Sequence, residues 1–398
     1  MQINELMESV GCSEFPSRWN DFYYDTVATV ERELPYVLDE GYLDFLKRKY
    51  GFVSEYEEYY RDAAAKIRKN KDLTLFVALL LRAVENREEI HNDLRELSLP
   101  EDSFEKRMIP ALVMLSGIPK NYAEMKGRKI PDDIISVALH TLEGGIPSYM
   151  LRRGGEVGYS FFGWFQLAYD GKLYNIGSLQ IELGATFDAG AVHFVNSHGE
   201  GVSLADNILL HRDGAVLGSL HYEDNEGSFE AVIEECALCY EGYPYNELGR
   251  VENKKIKLEK SEWKKVIGRG SSVVGLHIPA GARLDKESLD FTFDSIKAFL
   301  EKHFPEYEYT AFYCHSWMLD PSLCNIVRPD SNILGFLKRF IPLAVKSSGE
   351  GVFKFVFMKP NMDFNLDELS ENTSLQRGIK KLYKNGGAIY ETAGFFLK

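Results

Sequence analysis

The sequence predicts an α+β protein, with an all-helical N-terminal domain over residues 1–155 and a mixed α/β sheet with inserted hairpins over 156–398. Three observations predict it. Apolar residues before position 150 recur at three- and four-residue spacing. After Gly154-Gly155 the chain breaks into short apolar runs separated by Gly, Asp and Asn. After Gly268 such runs alternate with helical patterns, as in β-α-β units. A chain of 398 residues also exceeds one compact core, so two domains are expected.

Among the N-terminal elements, Leu73, Phe76, Val77, Leu80 and Val84, continued by Leu94, form one apolar stripe and predict a long helix with one buried face. Ser54 with Glu57 reads as a capping box opening a further helix. Pro110 and Pro119 punctuate the helices that follow, and a last long helix runs from about Pro131 to Arg152. The tyrosines of DFYYDTV and EYEEYY fall at helical spacing, where they pack with one wet edge. Beyond the glycine pair, FFGWFQLAYDGKLYNIG fits neither period. GSLQIEL, AVHFVNS, NILLHRDGAVLGS, SFEAVIEE and KKIKLEK read as strands, with a two-residue hairpin at Asp213-Gly214. VVGLHIP and YTAFYCHSW are buried strands. Asp285 caps the helix between them, whose apolar face is Leu289, Phe293, Ile296 and Leu300. SNILGFLKRF reads as a helix, GVFKFVFMKP as an alternating strand, SLQRGIKKLYKN as a helix opened by Thr373 and Gln376, and AIYETAGFF as the closing strand.

The composition narrows the function classes. With 46 basic and 60 acidic residues the net charge is −14, which disfavours nucleic acid or an anionic membrane as partner. The N-terminus lacks a basic region followed by an apolar one, and the longest apolar run, LFVALLL, is too short for a bilayer. The cysteines, 12, 236, 239, 314 and 324, form no disulfide framework, and the Cys236-x-x-Cys239 pair reads as strand packing. A cytoplasmic protein is expected. The histidines at 193, 198, 211 and 221 have no metal-ligand spacing and read as surface hairpin residues, so no metal is expected.

Chemistry concentrates where strands end. His277 and His315 close strands expected to be neighbours, where a neutral imidazole can take a proton from an attacking amine or hydroxyl. His315 is the general-base candidate, His277 the alternate, and Asp320 the group that fixes the tautomer. The turn Ile278-Pro279-Ala280-Gly281-Ala282 leads into a helix start whose N–H groups suit a phosphate, although it lacks a Gly-x-Gly-x-x-Gly or Gly-Lys-Ser/Thr signature. Cys314 alternates away from His315 and is a poor nucleophile.

Several strings carry a family resemblance: Gly177-Ser178-Leu179-Gln180, Glu241-Gly242-Tyr243-Pro244, Trp263, His277-Ile278-Pro279 and His303-Phe304-Pro305. With Cys314-His315-Ser316-Trp317, Leu319-Asp320-Pro321, and Ser331-Asn332-Ile333 before Phe336 and Phe340, the chain resembles the bacterial acyltransferase domain-containing proteins. These join a helical N-acyltransferase N-terminal domain to a C-terminal domain similar to the GNAT superfamily of N-acetyltransferases. The resemblance covers about residues 130–390, and the N-terminal helices in general character. It implies a GNAT-like sheet in which acyl-CoA enters a V-shaped gap between VVGLHIPAG and YTAFYCHSW. Ile278, Ala280, Gly281 and Ala282 would then lie along the cofactor, with Ser331 and Asn332 touching it from the next helix. The superfamily's pyrophosphate loop, Gln/Arg-x-x-Gly-x-Gly/Ala, is absent between His277 and Ser288, and its usual Tyr acid is absent from SNILGFLKRF. The implied activity is transfer of an acyl group from acyl-CoA, acetyl-CoA or longer, to a small-molecule amine or hydroxyl by direct attack. The alternative is a non-catalytic GNAT-like protein that binds a small molecule or docks a partner.

Overall fold

The computed structural model describes residues 2–12, 14–85, 99–359 and 362–398. Two compact units divide the chain, Met1–Asn175 and Ile176–Lys398. The division lies beyond position 155 because FFGWFQLAY forms a helix, Phe162–Tyr169, that belongs to the first unit.

The first unit is helical. Its helix Lys71–Glu85 was expected to bury one stripe, yet Thr74, Leu75, Ala78, Leu79, Leu81 and Ala83 are buried with it. An apolar helix without a polar face has to be surrounded, so it forms the centre of this unit. Leu94 lies outside the described residues. Helix Glu57–Ile67 has no Ser54–Glu57 capping box, since its N-cap is Tyr56 and Ser54 accepts from the Tyr56 N–H at 2.9 Å while donating to the buried Glu143. Pro110 lies inside helix Phe104–Met114, whereas Pro119 opens Ile118–Gly127. The long helix expected from Pro131 breaks into Asp132–His140 and Gly145–Arg152. The break is where the aromatic rings of Phe165 and Tyr159 press on Gly144 and Gly145, leaving only 2.5 and 2.4 Å to a Cβ at either position.

The strands, in chain order, are β1 (Leu173–Ile176), β2 (Leu179–Thr186), β3 (Ala191–Asn196), β4 (Gly201–Ala205), β5 (Ile208–Leu210), β6 (Phe229–Ala231) and β7 (Glu234–Glu235). They continue as β8 (Cys239–Gly242), β9 (Ile256–Glu259), β10 (Trp263–Ile267), β11 (Ser272–His277), β12 (Ala311–Ser316), β13 (Ile341–Ala344) and β14 (Thr392–Leu397). A six-stranded sheet has the order β1-β2-β11-β12-β14-β13, with the division between the units falling inside β1. Within it β11 and β12 are parallel and β11/β2, β12/β14 and β13/β14 antiparallel, so this is the mixed sheet the sequence predicts. Helix Lys286–His303 crosses from β11 to β12 and buries Leu289, Phe293, Ile296 and Leu300. Phe293 meets Phe312 and Phe396, with ring centroids 5.6 and 5.0 Å apart. The opposite sheet face carries Phe187, Tyr313 and Phe395. Between β2 and β11 the chain inserts small sheets, β10-β3-β4, β5-β6 and β7-β8-β9.

Other local expectations change. GVFKFVFMKP contains the helix Gly351–Val356, not a strand: Phe353 and Phe357, four apart, are buried, and Phe355 is 65% exposed. An F-x-F-x-F run satisfies period two and an i, i+4 pair equally, and packing against Tyr383 and Phe364 selects the helix. SNILGFLKRF is a helix only through Leu337, and β13 follows it unannounced. Asp213-Gly214 does reverse the chain, but with one isolated bridge, Leu210 to Val216. The capping box of Thr373 and Gln376 forms at helix Ser374–Lys384. Cys236 and Cys239 are joined as a disulfide in the β7–β8 hairpin, so the pair is covalent and not merely packed. His193 and His211 are both buried, 2% exposed, so these two are not surface hairpin residues. No helix among the described residues is long and apolar enough to cross a membrane, and no group of three or more His, Cys, Asp or Glu residues able to hold a metal occurs among them.

Candidate functional site

The parallel pair β11/β12 is in register from Val273↔Ala311 to Leu276↔Cys314. One residue further on, past the last pair, stand His277 and His315. Strand alternation puts both on the face of Gly275 and Tyr313, while Cys314 turns inward and is buried, its thiol pushed up to about 12 by desolvation.

Antiparallel to β11, β2 pairs Gln180 with His277 and Glu182 with Gly275. Residues two apart share a face, so Glu182 lies diagonally from His277, and its Oε2 meets His277 Nε2 at 2.9 Å. Gly275 makes the approach possible: a Cβ there would sit 3.0 Å from the Glu182 Cβ and 3.2 Å from that of Ala185. The pair is partly shielded, with 30% of the His277 and 19% of the Glu182 side chain exposed.

Just below this pair the β2/β11 ladder skips from Val273↔Ala185 to Gly275↔Glu182, placing an extra residue in β2 with Gly184 at φ +80°. Such a bulge re-aims the side chains beside it. Tyr307 closes it, its hydroxyl donating to the Val273 carbonyl at 2.6 Å and accepting from the Gly184 N–H at 3.0 Å. Tyr307→Phe would strip both backbone groups of their partner, so urea unfolding should show a loss of about 1–3 kcal/mol. An unchanged midpoint would mean that water replaces the hydroxyl without cost.

The remaining predicted residues are distributed as follows. His315 is exposed, pairs across to Ala393 of β14, and its side chain makes no hydrogen bond to a described residue. Asp320 does not reach a histidine. It is 5% exposed, and its carboxylate accepts the backbone N–H groups of Ser322 at 2.8 Å and Tyr390 at 2.6 Å, tying the turn after β12 to the approach to β14. Burial raises its pKa despite those bonds and the nearby Arg250. After His277, Ile278 leads into a turn in which the Ala282 N–H donates to the Pro279 carbonyl at 3.1 Å and Gly281 has φ +80°. That positive φ suits glycine, and nothing lies within 4 Å of where its Cβ would be, so Ala280–Ala282 form an open lip. The helix start beyond it is capped by the Asp285 carboxylate, which accepts from the Ser288 N–H at 2.9 Å. Ser331 caps the helix Asn332–Leu337 with its hydroxyl, and Asn332 is its first residue. Sequence reasoning missed Glu182, Gly275 and Tyr307. The available signal was in GSLQIEL, where Gln180 and Glu182 put two polar groups on one face of an otherwise apolar strand.

The fold and this strand-end cluster define an α/β domain of the GNAT type behind a helical unit. The model of the GNAT-like C-terminal domain matches residues 173–396, and the chain belongs to that family. No curated protein matches the chain at the sequence level. Among solved structures it resembles an acyltransferase in complex with decanoyl-CoA, at TM-score 0.65 and 17% identity, covering 100% of this chain and 99% of the other. An acyltransferase mutant in complex with octanoyl-CoA aligns at TM-score 0.64 and 17% identity with the same coverage. An acyltransferase in complex with decanoyl-CoA and teicoplanin aligns at 0.63 and 18%, again with 100% and 99% covered.

Proposed function

We propose that the chain transfers an acyl group from an acyl-CoA thioester to an amine or hydroxyl of a small molecule, in a ternary complex, with His277 as general base and Glu182 as its orienting partner. The observation that carries this is the Glu182–His277 contact of 2.9 Å at the open end of the parallel pair. A carboxylate on Nε2 holds the ring in one orientation and supports the positive charge it gains on taking a proton. The His277 imidazole takes the proton of the attacking nitrogen as that nitrogen's lone pair bonds to the thioester carbonyl carbon. The carbon–sulfur bond then breaks, and CoA leaves as the thiolate. Positioning and backbone N–H groups along the β11 end supply the rest.

Supporting the donor are the octanoyl- and decanoyl-CoA complexes of the similarly folded acyltransferases, and the teicoplanin complex supports a small-molecule acceptor. Ile278 and the Ala280–Ala282 lip would run along the pantetheine arm, and Ser331 and Asn332 would approach it from the helix after β12. His315 stays on the same face as an acceptor-side group. The absent pyrophosphate loop, together with the Asp285 carboxylate that already caps the helix start and would repel a pyrophosphate there, favours the alternative of a GNAT-like binding protein for another small molecule.

Purified protein mixed with octanoyl- or decanoyl-CoA and a primary amine should release CoA thiol. Donor at a hundredfold over its dissociation constant should add roughly 2.7 kcal/mol of stability. Stabilisation without thiol release across a panel of amines and alcohols supports the binding protein, and neither effect overturns the acyl-CoA reading.

A further inference from the structure

We propose that the helical unit holds a separate site for an organic ammonium compound with a flat, aromatic body. No residue of the His277 site takes part, so the inference goes beyond acyl transfer. The structural basis is a cavity of about 460 Å³, within the size range of small-molecule sites. Its walls are aromatic: Tyr36 and Tyr42 meet edge-on at 5.3 Å, and Tyr42 lies nearly parallel to Phe45 at 6.1 Å. Tyr169, 4% exposed, forms another wall, with its ring against Gly117, where a Cβ would come within 2.9 Å.

The polar groups are built in. Ser116, itself buried, gives its proton to the Val113 carbonyl at 2.7 Å and meets the Tyr169 hydroxyl at 2.9 Å. The Tyr42 hydroxyl donates to the Leu115 carbonyl at 3.3 Å. The Tyr36 hydroxyl donates to Glu85 Oε1 at 3.1 Å, fixing a carboxylate at the mouth. Burial, reinforced by Glu85, holds the Tyr36 phenol well above its ordinary pKa, so it stays a neutral donor.

The sign of the guest follows. Aromatic faces and a carboxylate attract a cation, and desolvation in a cavity strengthens the attraction. Among the described lining residues the one base is Lys120, which pairs with Glu124 of its own helix at 3.5 Å, and Lys49 lies over the Phe45 ring at 5.5 Å, so the Tyr36, Tyr42 and Tyr169 rings and Glu85 are what a guest cation would meet. A wall of four aromatic rings also favours a flat, aromatic body over a branched chain, because ring faces and edges pack on one another.

Binding is read by calorimetry on the full chain without acyl-CoA, so its outcome does not depend on catalysis. The probes are benzyltrimethylammonium, 2-phenylethylamine and the uncharged 2-phenylethanol. Both cations should bind at least about tenfold more tightly than the alcohol. Glu85→Gln should weaken the cations by about tenfold and leave the alcohol unchanged. Tyr36→Phe, at a residue 44% exposed, keeps the ring but removes the hydroxyl that fixes the carboxylate at the cavity, so it too should weaken the cations several-fold, and it serves if Glu85→Gln misfolds. His277→Ala should bind the cations as the parent does. Equal affinity for amine and alcohol, no loss in either variant, or no binding of any probe would overturn the proposal.

Discussion

His277→Ala is expected to lower acyl-transfer turnover by about 10² to 10⁴, the usual scale for a lost proton-transfer group, with the acyl-CoA dissociation constant nearly intact. Glu182→Gln should fall between the parent and His277→Ala, because an amide can still accept from the imidazole but no longer supports its positive charge. His315→Ala, at an exposed position whose side chain makes no hydrogen bond to a described residue, should change turnover only a few-fold and leave the unfolding midpoint in place. Thiol release under saturating decanoyl-CoA, with donor affinity measured separately, decides among them. If His315→Ala is the silent variant and His277→Ala the dead one, β11 carries the base. The reverse result would assign it to β12 and make the Glu182–His277 contact structural.

A second large effect concerns stability against pH and rests on His193. This ring lies in β3, 2% exposed, with Nδ1 on Ser203 Oγ at 2.9 Å, its ring edge-on to Phe395 at 5.1 Å, and Gly201 leaving it room. Desolvation lowers its pKa to about 4 from an ordinary value of 6.5. Between those values the unfolded chain binds a proton that the folded chain refuses. Stability therefore rises with pH through this window and is lost as pH falls from 6.5 towards 4. The shift is equivalent to about 3 kcal/mol at most. Urea unfolding at pH 7 and pH 4.5 should differ by roughly 2 to 3 kcal/mol more in the parent than in His193→Gln, whose amide carries no charge. A parent and variant with parallel pH profiles would show that the ring becomes hydrated or moves on protonation.

Much of this was legible in the sequence, and the reason is periodicity. Leu289, Phe293, Ile296 and Leu300 could only line one helix face, and VVGLHIP and YTAFYCHSW could only be buried strands around it. The helical first half, the mixed sheet, the parallel pair and the placement of His277 and His315 at its end all follow from such local patterns. Caps were half legible. Thr373 with Gln376 forms its box, whereas Ser54 is drawn instead to the buried Glu143, a partner 89 positions away.

What the tertiary structure decided involves partners that no window of sequence contains. GVFKFVF became a helix because Phe353 found Phe364 and Tyr383. Asp320, placed by its spacing beside His315, is held instead by Tyr390, 70 positions on. Glu182 reaches His277 across 95 positions because β2 and β11 are antiparallel, a bulge sets their register, and Gly275 leaves space between them. Local periodicity determines which residues face inward. Which carboxylate meets which imidazole depends on strand order and register, which the packing of distant segments sets.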